Sequence, residues 1–217
     1  MRDKQFGVFD FDGTIVDTMP AFFEGYSEIM QKEYGLSGED FQTYSLRYVG
    51  MLPTEDIFVQ YLKNHHKSTD KVRENLQNFF DMLNSRDFPI IEGAREAIED
   101  TYQKGYKLFV STGSQTKRTK ERLEKLGLLK YFSMVYGSSE IDKGPRHIED
   151  FAKASQVSLE DFAKNSFFLG DGPGDIKLAK FCKMEAVGVA HTFSRTYLIE
   201  AGADVVFENI REAKMWI

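Results

Sequence analysis

The sequence predicts an α/β fold in which a mostly parallel sheet, flanked by helices, is interrupted after its first strand by a block of four helices. Three observations predict it. Residues 6–11 form a nearly continuous apolar run, typical of a buried parallel strand. Residues 16–87 have helical spacing without a strand signal, and from Phe88 strand and helix patterns alternate. This alternation implies right-handed crossovers, so we expect a Rossmann-like core, residues 1–15 plus 88–217, with a helical cap, residues 16–87.

The four cap helices are indicated by apolar side chains at spacings of three and four residues. Gly35 follows the first helix as a stop signal, and Ser37 and Thr54 are suited to cap the second and third. The four apolar stripes are Phe22, Tyr26, Ile29 and Met30; Phe41, Tyr44 and Tyr48; Ile57, Phe58, Tyr61 and Leu62; and Val72, Leu76, Phe79, Phe80 and Leu83.

The remaining core elements alternate in type. Gly105, Gly127 and Gly202 predict the ends of three helices, and Ser158 predicts the cap of a further helical turn. The predicted strands are residues 107–111, 134–136, 166–170, 186–189 and 205–207, and the predicted helices are residues 92–104, 116–126, 146–155, 175–183 and 194–201.

Composition limits the partners and the compartment. The chain has 217 residues, of which 41% are hydrophobic, which is enough for a globular core domain plus a smaller one. A net charge of -6 argues against nucleic acid as a partner. Cys182 is the single cysteine, so no internal disulfide is possible, and the N-terminal sequence matches neither a signal peptide nor a membrane span. We therefore expect a cytoplasmic protein, monomeric or homodimeric, without a membrane partner.

Asp10 and Asp12 stand at the end of the first strand, two residues apart, so their side chains would share a face. Two carboxylates this close repel each other unless one is protonated or a cation neutralises them, and Mg²⁺ is a simple remedy. Gly13 permits a turn and Thr14 adds a hydroxyl there. The alternative is an Asx-type turn with only a structural role.

Polar residues also follow the later strands. Because ligands bind beyond the carboxyl ends of open α/β sheets, we expect these segments to meet. The serine, threonine and glycine residues of 111–114 suit a phosphate oxygen, although a capped loop is the alternative. Lys143 could pair with phosphate or lie at the surface, and Asp171 and Asp175 occupy a glycine-rich turn. Four carboxylates at one edge would require a cation.

Four segments together resemble the motifs of the haloacid dehalogenase-like hydrolases, most of which are Mg²⁺-dependent phosphatases. They are the DxDGT sequence at residues 10–14, the serine and threonine after the second strand, Lys143, and the GDxxxD turn at residues 170–175. The position of the helical block resembles the subgroup whose cap is inserted after the first strand. The resemblance covers essentially the whole chain.

The resemblance implies a role for each of these residues. Asp10 would be the nucleophile that forms an aspartyl phosphate, and Asp12 would act as general acid and then general base. Ser111 and Lys143 would hold the phosphoryl group, with Thr112 and Gly113 also binding substrate. The implied Mg²⁺ ligands are Asp10, Asp12 through its backbone carbonyl, Asp171, and Asp175 in or near the first shell.

These roles predict a Mg²⁺-dependent phosphatase that hydrolyses a small phosphorylated metabolite. The alternatives are a sugar phosphomutase resembling β-phosphoglucomutase and, from a different class, a non-catalytic module that retains the fold. Arg47, near the first cap turn, is a candidate for substrate contact or a solvated helix residue. The lysine segment reads Lys143-Gly144-Pro145-Arg146 where many relatives have Lys-Pro, so Arg146 is a second candidate for phosphate.

Overall fold

The computed structural model describes residues 5–49, 51–84, 86–139 and 141–216. The chain divides into two compact units, one containing the residues up to Asp17 and from Pro89 onward, the other Thr18–Phe88. The sequence pattern predicts the boundaries between core and cap after residues 15 and 87. Residues 16 and 17 belong with the first unit because Val16 bridges Ile90 and the Asp17 amide donates to the Pro89 carbonyl.

The first unit contains a six-stranded sheet in which every pair of neighbouring strands is parallel. The strands are β1 (Phe6–Phe9), β2 (Lys107–Ser111), β3 (Phe132–Tyr136), β4 (Ser166–Gly170), β5 (Glu185–Val189) and β6 (Val205–Phe207). Their spatial order is β3-β2-β1-β4-β5-β6, so β1 lies at the centre with β2 and β4 beside it. The predicted α/β fold is confirmed.

Helices accompany this sheet along the chain. They are α5 (Ala94–Gln103), α6 (Thr116–Lys125), α7 (Pro145–Ala154), α8 (Leu159–Lys164), α9 (Pro173–Phe181), α10 (Arg195–Glu200) and α11 (Ile210–Trp216), with a 3₁₀ turn at Leu129–Tyr131. Ser158 caps α8 as predicted, because its hydroxyl accepts from the Asp161 amide. Helix α11 was not predicted. Among the described residues, no helix of either unit is long and apolar enough to cross a membrane.

The second unit is helical, with α1 (Met19–Tyr34), α2 (Gly38–Ser45), α3 (Thr54–Asn64) and α4 (Val72–Asn84). Its core is rich in aromatic rings that meet edge to face. The centroid of Phe58 lies 4.5 Å from that of Phe41 and 5.3 Å from that of Tyr26. Such pairs add to the stabilisation from burial. The unit therefore has a hydrophobic core of its own.

Gly25 in α1 gives a test of this packing. A Cβ atom at that position would lie 1.9 Å from Cε2 of the buried Phe79 ring, so Gly25→Ala must displace the ring. We expect the strain to outweigh the gain in helix propensity and to lower the free energy of unfolding by about 1 to 3 kcal/mol in urea denaturation. Glu24→Ala, at an exposed position of the same helix, should change it by less than about 0.5 kcal/mol. Equal effects of the two variants would contradict this account.

Candidate active site

The site forms where β1, β2 and β4 end side by side. Phe9, the last residue of β1, is in register with Val110 of β2 and with Leu169 of β4. The residues that follow in the three strands therefore leave the sheet at the same edge. From the central strand β1 the chain continues on one side of the sheet, to β2 and β3, and then on the other side, to β4, β5 and β6. The strand ends at such a reversal are the usual ligand position in open α/β folds.

Three buried carboxylates meet at this edge. Asp10, Asp171 and Asp175 are 6%, 3% and 4% exposed, and one oxygen from each lies within 4.8 Å of the others. Lys143 comes from the segment between β3 and α7. Its Nζ lies 2.8 Å from Asp10 Oδ1 and 2.5 Å from Asp175 Oδ1. Three of the four predicted acids and the predicted lysine are thus brought together.

The pKa values of these groups reflect burial first and the neighbouring charges second. Burial raises the pKa of Asp10 well above its ordinary value, and the Asp175 carboxylate raises it further. Burial, again with the help of Asp175, raises the pKa of Asp171 to about 7. Burial on its own would lower the pKa of Lys143, but Asp10 and Asp175 raise it above the ordinary value, so the lysine stays charged.

Short residues of the loops make room for the acids. Gly13 has a φ of 76°, and a Cβ atom there would lie 2.2 Å from Asp171 Oδ2. A side chain at Gly170 would collide in the same way with Asp175. The Thr14 hydroxyl donates to Asp171 Oδ1 at 3.0 Å, and the Gly172 amide donates to Asp175 Oδ2 at 3.0 Å. The glycines of both motifs are therefore required by the close approach of the carboxylates.

Asp12 is held separately from the buried acids. Its Oδ2 atom accepts two hydrogen bonds, from the Thr112 hydroxyl at 3.1 Å and from the Ser114 hydroxyl at 2.6 Å. Both donors belong to the segment that follows β2. The side chain of Asp12 is partly exposed, unlike those of the three buried acids.

Ser111, one of the predicted site residues, has its side chain in the interior. Its side chain is 0% exposed, and its hydroxyl lies 2.9 Å from Nδ1 of His147 in the interior. The hydroxyl that reaches Asp12 belongs to the next residue, Thr112. The Ser111 hydroxyl is therefore engaged with His147 inside the core, whereas the sequence led us to expect it at the phosphoryl group.

Three predicted ligand contacts lie in exposed positions. Gly113 is exposed, and a Cβ atom there would meet nothing within 4 Å. Arg146 is exposed and forms ion pairs within its own helix, at 3.5 Å to Asp150 and 4.0 Å to Glu149. Arg47 is an exposed residue of the helical unit, and the neighbouring Gly50 lies outside the described residues.

Sequence reasoning missed two residues that belong to this edge. The Thr192 hydroxyl lies beside Asp171 and lowers its pKa, opposing the effect of burial. His147, which belongs to none of the motifs read from the sequence, is fully buried against Ser111. Thr192 follows β5, so reading the residues after every strand would have found it. No pattern in the sequence marks His147.

The acid cluster is suited to a metal ion. Carboxylate oxygens are hard ligands, and three ionised acids with one lysine would carry a net charge of -2, which a divalent cation would neutralise. Burial raises the pKa of Asp10 and of Asp171, and the Asp175 carboxylate raises both further, so a cation at the cluster would favour their ionised forms. Asp10, Asp171 and Asp175 could therefore hold a divalent ion.

Comparison with known proteins agrees with this geometry. The family model described as haloacid dehalogenase-like hydrolase matches residues 8–189, which include every acid of the site. The chain belongs to the haloacid dehalogenase-like hydrolases. The family resemblance that the motifs predicted is confirmed.

Several relatives of this haloacid dehalogenase-like protein carry phosphatase names. It is 25% identical over 205 residues to a phosphorylated carbohydrates phosphatase of Thermotoga maritima, with 90% of each chain covered. It is 23% identical over 220 residues to a phosphoglycolate phosphatase of Vibrio parahaemolyticus, covering 97% of this chain and 95% of the relative.

Solved structures share the whole fold. A haloacid dehalogenase-like family protein from Streptococcus pneumoniae superposes with a TM-score of 0.78 at 18% identity, covering 100% of this chain and 99% of the other. A β-phosphoglucomutase from Clostridium difficile gives a TM-score of 0.72 at 18% identity, with coverages of 96% and 92%. At such low identity these structures establish the fold alone.

Lys143→Met tests the electrostatic balance of this haloacid dehalogenase-like site. In the presence of chelator, removal of the lysine leaves Asp10, Asp171 and Asp175 without its compensating charge, so we expect a loss of about 3 to 5 kcal/mol in the free energy of unfolding. Lys32→Met, which breaks an exposed pair with Glu28, should cost less than about 1 kcal/mol. If both variants unfolded at the same urea concentration, the lysine would not be compensating buried charge.

Proposed function

We propose that this protein is a Mg²⁺-dependent phosphatase that hydrolyses a small phosphorylated metabolite through an aspartyl-phosphate intermediate. The observation that carries the proposal is the pairing of a buried carboxylate and a partly buried ammonium at the end of β1. Asp10 lies 2.8 Å from Lys143, and Asp12 leaves the same strand two residues later on hydroxyl donors. A nucleophile, a positive charge and a proton-transfer group thus stand at one edge.

The metal would be held by the side chains of Asp10, Asp171 and Asp175 and by the backbone carbonyl of Asp12. The support for this assignment is the convergence of the three carboxylates and their burial. When bound, Mg²⁺ neutralises negative charge on the substrate phosphoryl oxygens and so lets two anions approach each other.

In the first step a carboxylate oxygen of Asp10 attacks phosphorus, and the bond from phosphorus to the ester oxygen breaks. Asp12, in its acid form, donates its proton to the leaving alcohol. Lys143 keeps its charge throughout, since its pKa is raised, and it stabilises the negative oxygens during transfer.

In the second step Asp12, now ionised, accepts a proton from a water molecule that attacks the phosphorus of the aspartyl phosphate. The acyl phosphate bond breaks, inorganic phosphate leaves, and Asp10 is regenerated. The hydroxyls of Thr112 and Ser114 orient Asp12 for both proton transfers, because both donate to the same oxygen, Oδ2. The two half-reactions therefore use the same two carboxylates.

We assign the phosphate-facing role in the segment after β2 to Thr112 and to the exposed backbone at Gly113, instead of to Ser111. Thr112 contacts Asp12, whereas the Ser111 hydroxyl is committed to His147. Arg47 is proposed as a substrate contact from the helical unit, and its support is a cationic side chain that is exposed. The names of the Thermotoga and Vibrio relatives favour a phosphorylated carbohydrate or a phosphorylated small acid as substrate.

The activity is tested by phosphate release from a panel of sugar phosphates, nucleotides, phosphoglycolate and phospholipid headgroup esters. We expect release with Mg²⁺ and less than about one hundredth of it with chelator, because charge neutralisation accounts for several kcal/mol of the barrier. Asp10→Asn should abolish release while its stability in chelator stays equal or rises. Formation of a sugar phosphate isomer without phosphate would indicate a mutase, and an Asp10→Asn protein with unchanged turnover would refute the assigned nucleophile.

Ser111→Ala and Thr112→Val form a matched pair for the reassigned hydroxyl. Thr112→Val removes a donor to Asp12, so we expect turnover to fall by roughly tenfold or more. Ser111→Ala leaves His147 Nδ1 without its partner, so we expect about 1 to 3 kcal/mol of lost stability with turnover nearly unchanged. Steady-state phosphate release and urea denaturation measure the two effects. The opposite pattern would restore Ser111 to the site.

A further inference from the structure

The buried histidine His147 occupies a position that the proposed mechanism does not use. It lies in the first turn of α7, its side chain is 0% exposed, and its ring stacks on Tyr136 of β3 with centroids 5.0 Å apart and planes 19° apart. The ring joins two segments of the site. Nδ1 lies 2.9 Å from the Ser111 hydroxyl at the end of β2, and Nε2 lies 3.2 Å from the carbonyl of Ile141.

The partners determine which nitrogen carries the proton. A backbone carbonyl can only accept, so Nε2 must donate its hydrogen to Ile141. In a neutral ring Nδ1 is then an acceptor, and the Ser111 hydroxyl donates to it. Burial lowers the pKa of His147, which favours the neutral ring. A single tautomer thus satisfies both contacts.

Ile141 precedes Lys143 by two residues, and the imidazole contact therefore acts on the loop that carries the lysine. The backbone reinforces it, since the His147 amide donates to the Gly144 carbonyl at 3.1 Å. The loop is thus tied to α7 on both sides of Lys143. Lys143 must place one atom, Nζ, between Asp10 and Asp175, so its loop cannot shift freely.

We propose that His147 is a positioning residue for Lys143, holding the loop of residues 141–144 through the hydrogen bond from Nε2 to the Ile141 carbonyl. This role rests on the proposed function, in which Lys143 stabilises the transferring phosphoryl group. His147 touches neither substrate nor the reacting atoms. It acts by fixing where the ammonium group lies, and small displacements of such a group are costly to turnover.

Replacing His147 with Gln or with Asn would remove one of its two hydrogen-bond contacts and keep the other. The side-chain nitrogen of Gln reaches about as far as Nε2, so His147→Gln retains a donor to Ile141 and loses Ser111. The shorter Asn has its oxygen near the position of Nδ1, so His147→Asn retains the acceptor for Ser111 and loses Ile141. Both introduce an amide of similar polarity into the same buried space, so they are matched for general disruption.

We expect His147→Asn to lower kcat roughly 10- to 100-fold with KM changed less than threefold, and His147→Gln to stay within about threefold of the natural protein. In a Lys143→Met background the Asn substitution should have almost no additional effect, because its influence passes through the lysine. Equal losses in Gln and Asn, or losses that multiply in the double variant, would overturn the proposal.

A measurement on the unaltered protein separates this proposal from the proposed function. The nitrogen chemical shifts of His147, recorded by ¹⁵N NMR in the full chain, should show a neutral ring protonated at Nε2. A ring protonated at Nδ1 would overturn the positioning role even if the variants fail to fold. A protein that shows the expected tautomer and releases phosphate from no substrate would instead refute the phosphatase proposal.

Discussion

The structure of the site depends on one electrostatic arrangement, the partly buried Lys143 ammonium between the carboxylates of Asp10 and Asp175. The three groups come from the end of β1, the loop before α7 and the turn after β4. They meet only because β1 lies between β2 and β4 and all these strands run parallel. The meeting of these charged groups is therefore a consequence of strand order. The glycines around them are needed because the carboxylates approach the backbone closely.

Burial, reinforced by the Asp175 carboxylate, raises the pKa of Asp10 and of Asp171 even though Lys143 lies nearby and lowers both. Buried ionisable residues with shifted pKa values are typical of functional sites, where a bound ligand can supply the opposite charge. The protein offsets the cost locally. Hydroxyl and amide donors from Thr14 and Gly172 stabilise the acids, and the apolar strands β1 and β4 supply a rigid base.

Much of this could be predicted from the sequence, because β strands, helix caps and strand-end acids have local signals. The meeting of Asp10, Asp171 and Asp175 at one edge follows from their places after parallel strands, whereas Lys143 lies in a longer segment between β3 and α7. Local signals do not show which of two adjacent hydroxyls turns toward Asp12, and in the structure the hydroxyl that donates to Asp12 belongs to Thr112, whereas that of Ser111 contacts His147. The choice depends on His147, a residue 36 positions away whose ring occupies the space beside Ser111.

The position of Lys143 is likewise not determined by local sequence signals. The sequence of its loop, Lys143-Gly144-Pro145, has a glycine directly after the lysine, and glycine gives a loop more conformational freedom to lose on folding. The position of Lys143 must then be fixed by contacts outside that tripeptide. The His147 side chain on Ile141 and its amide on Gly144 supply two such contacts from one residue. A buried histidine on a helix that contacts no acid of the site can thus determine whether the charge at its centre is correctly placed.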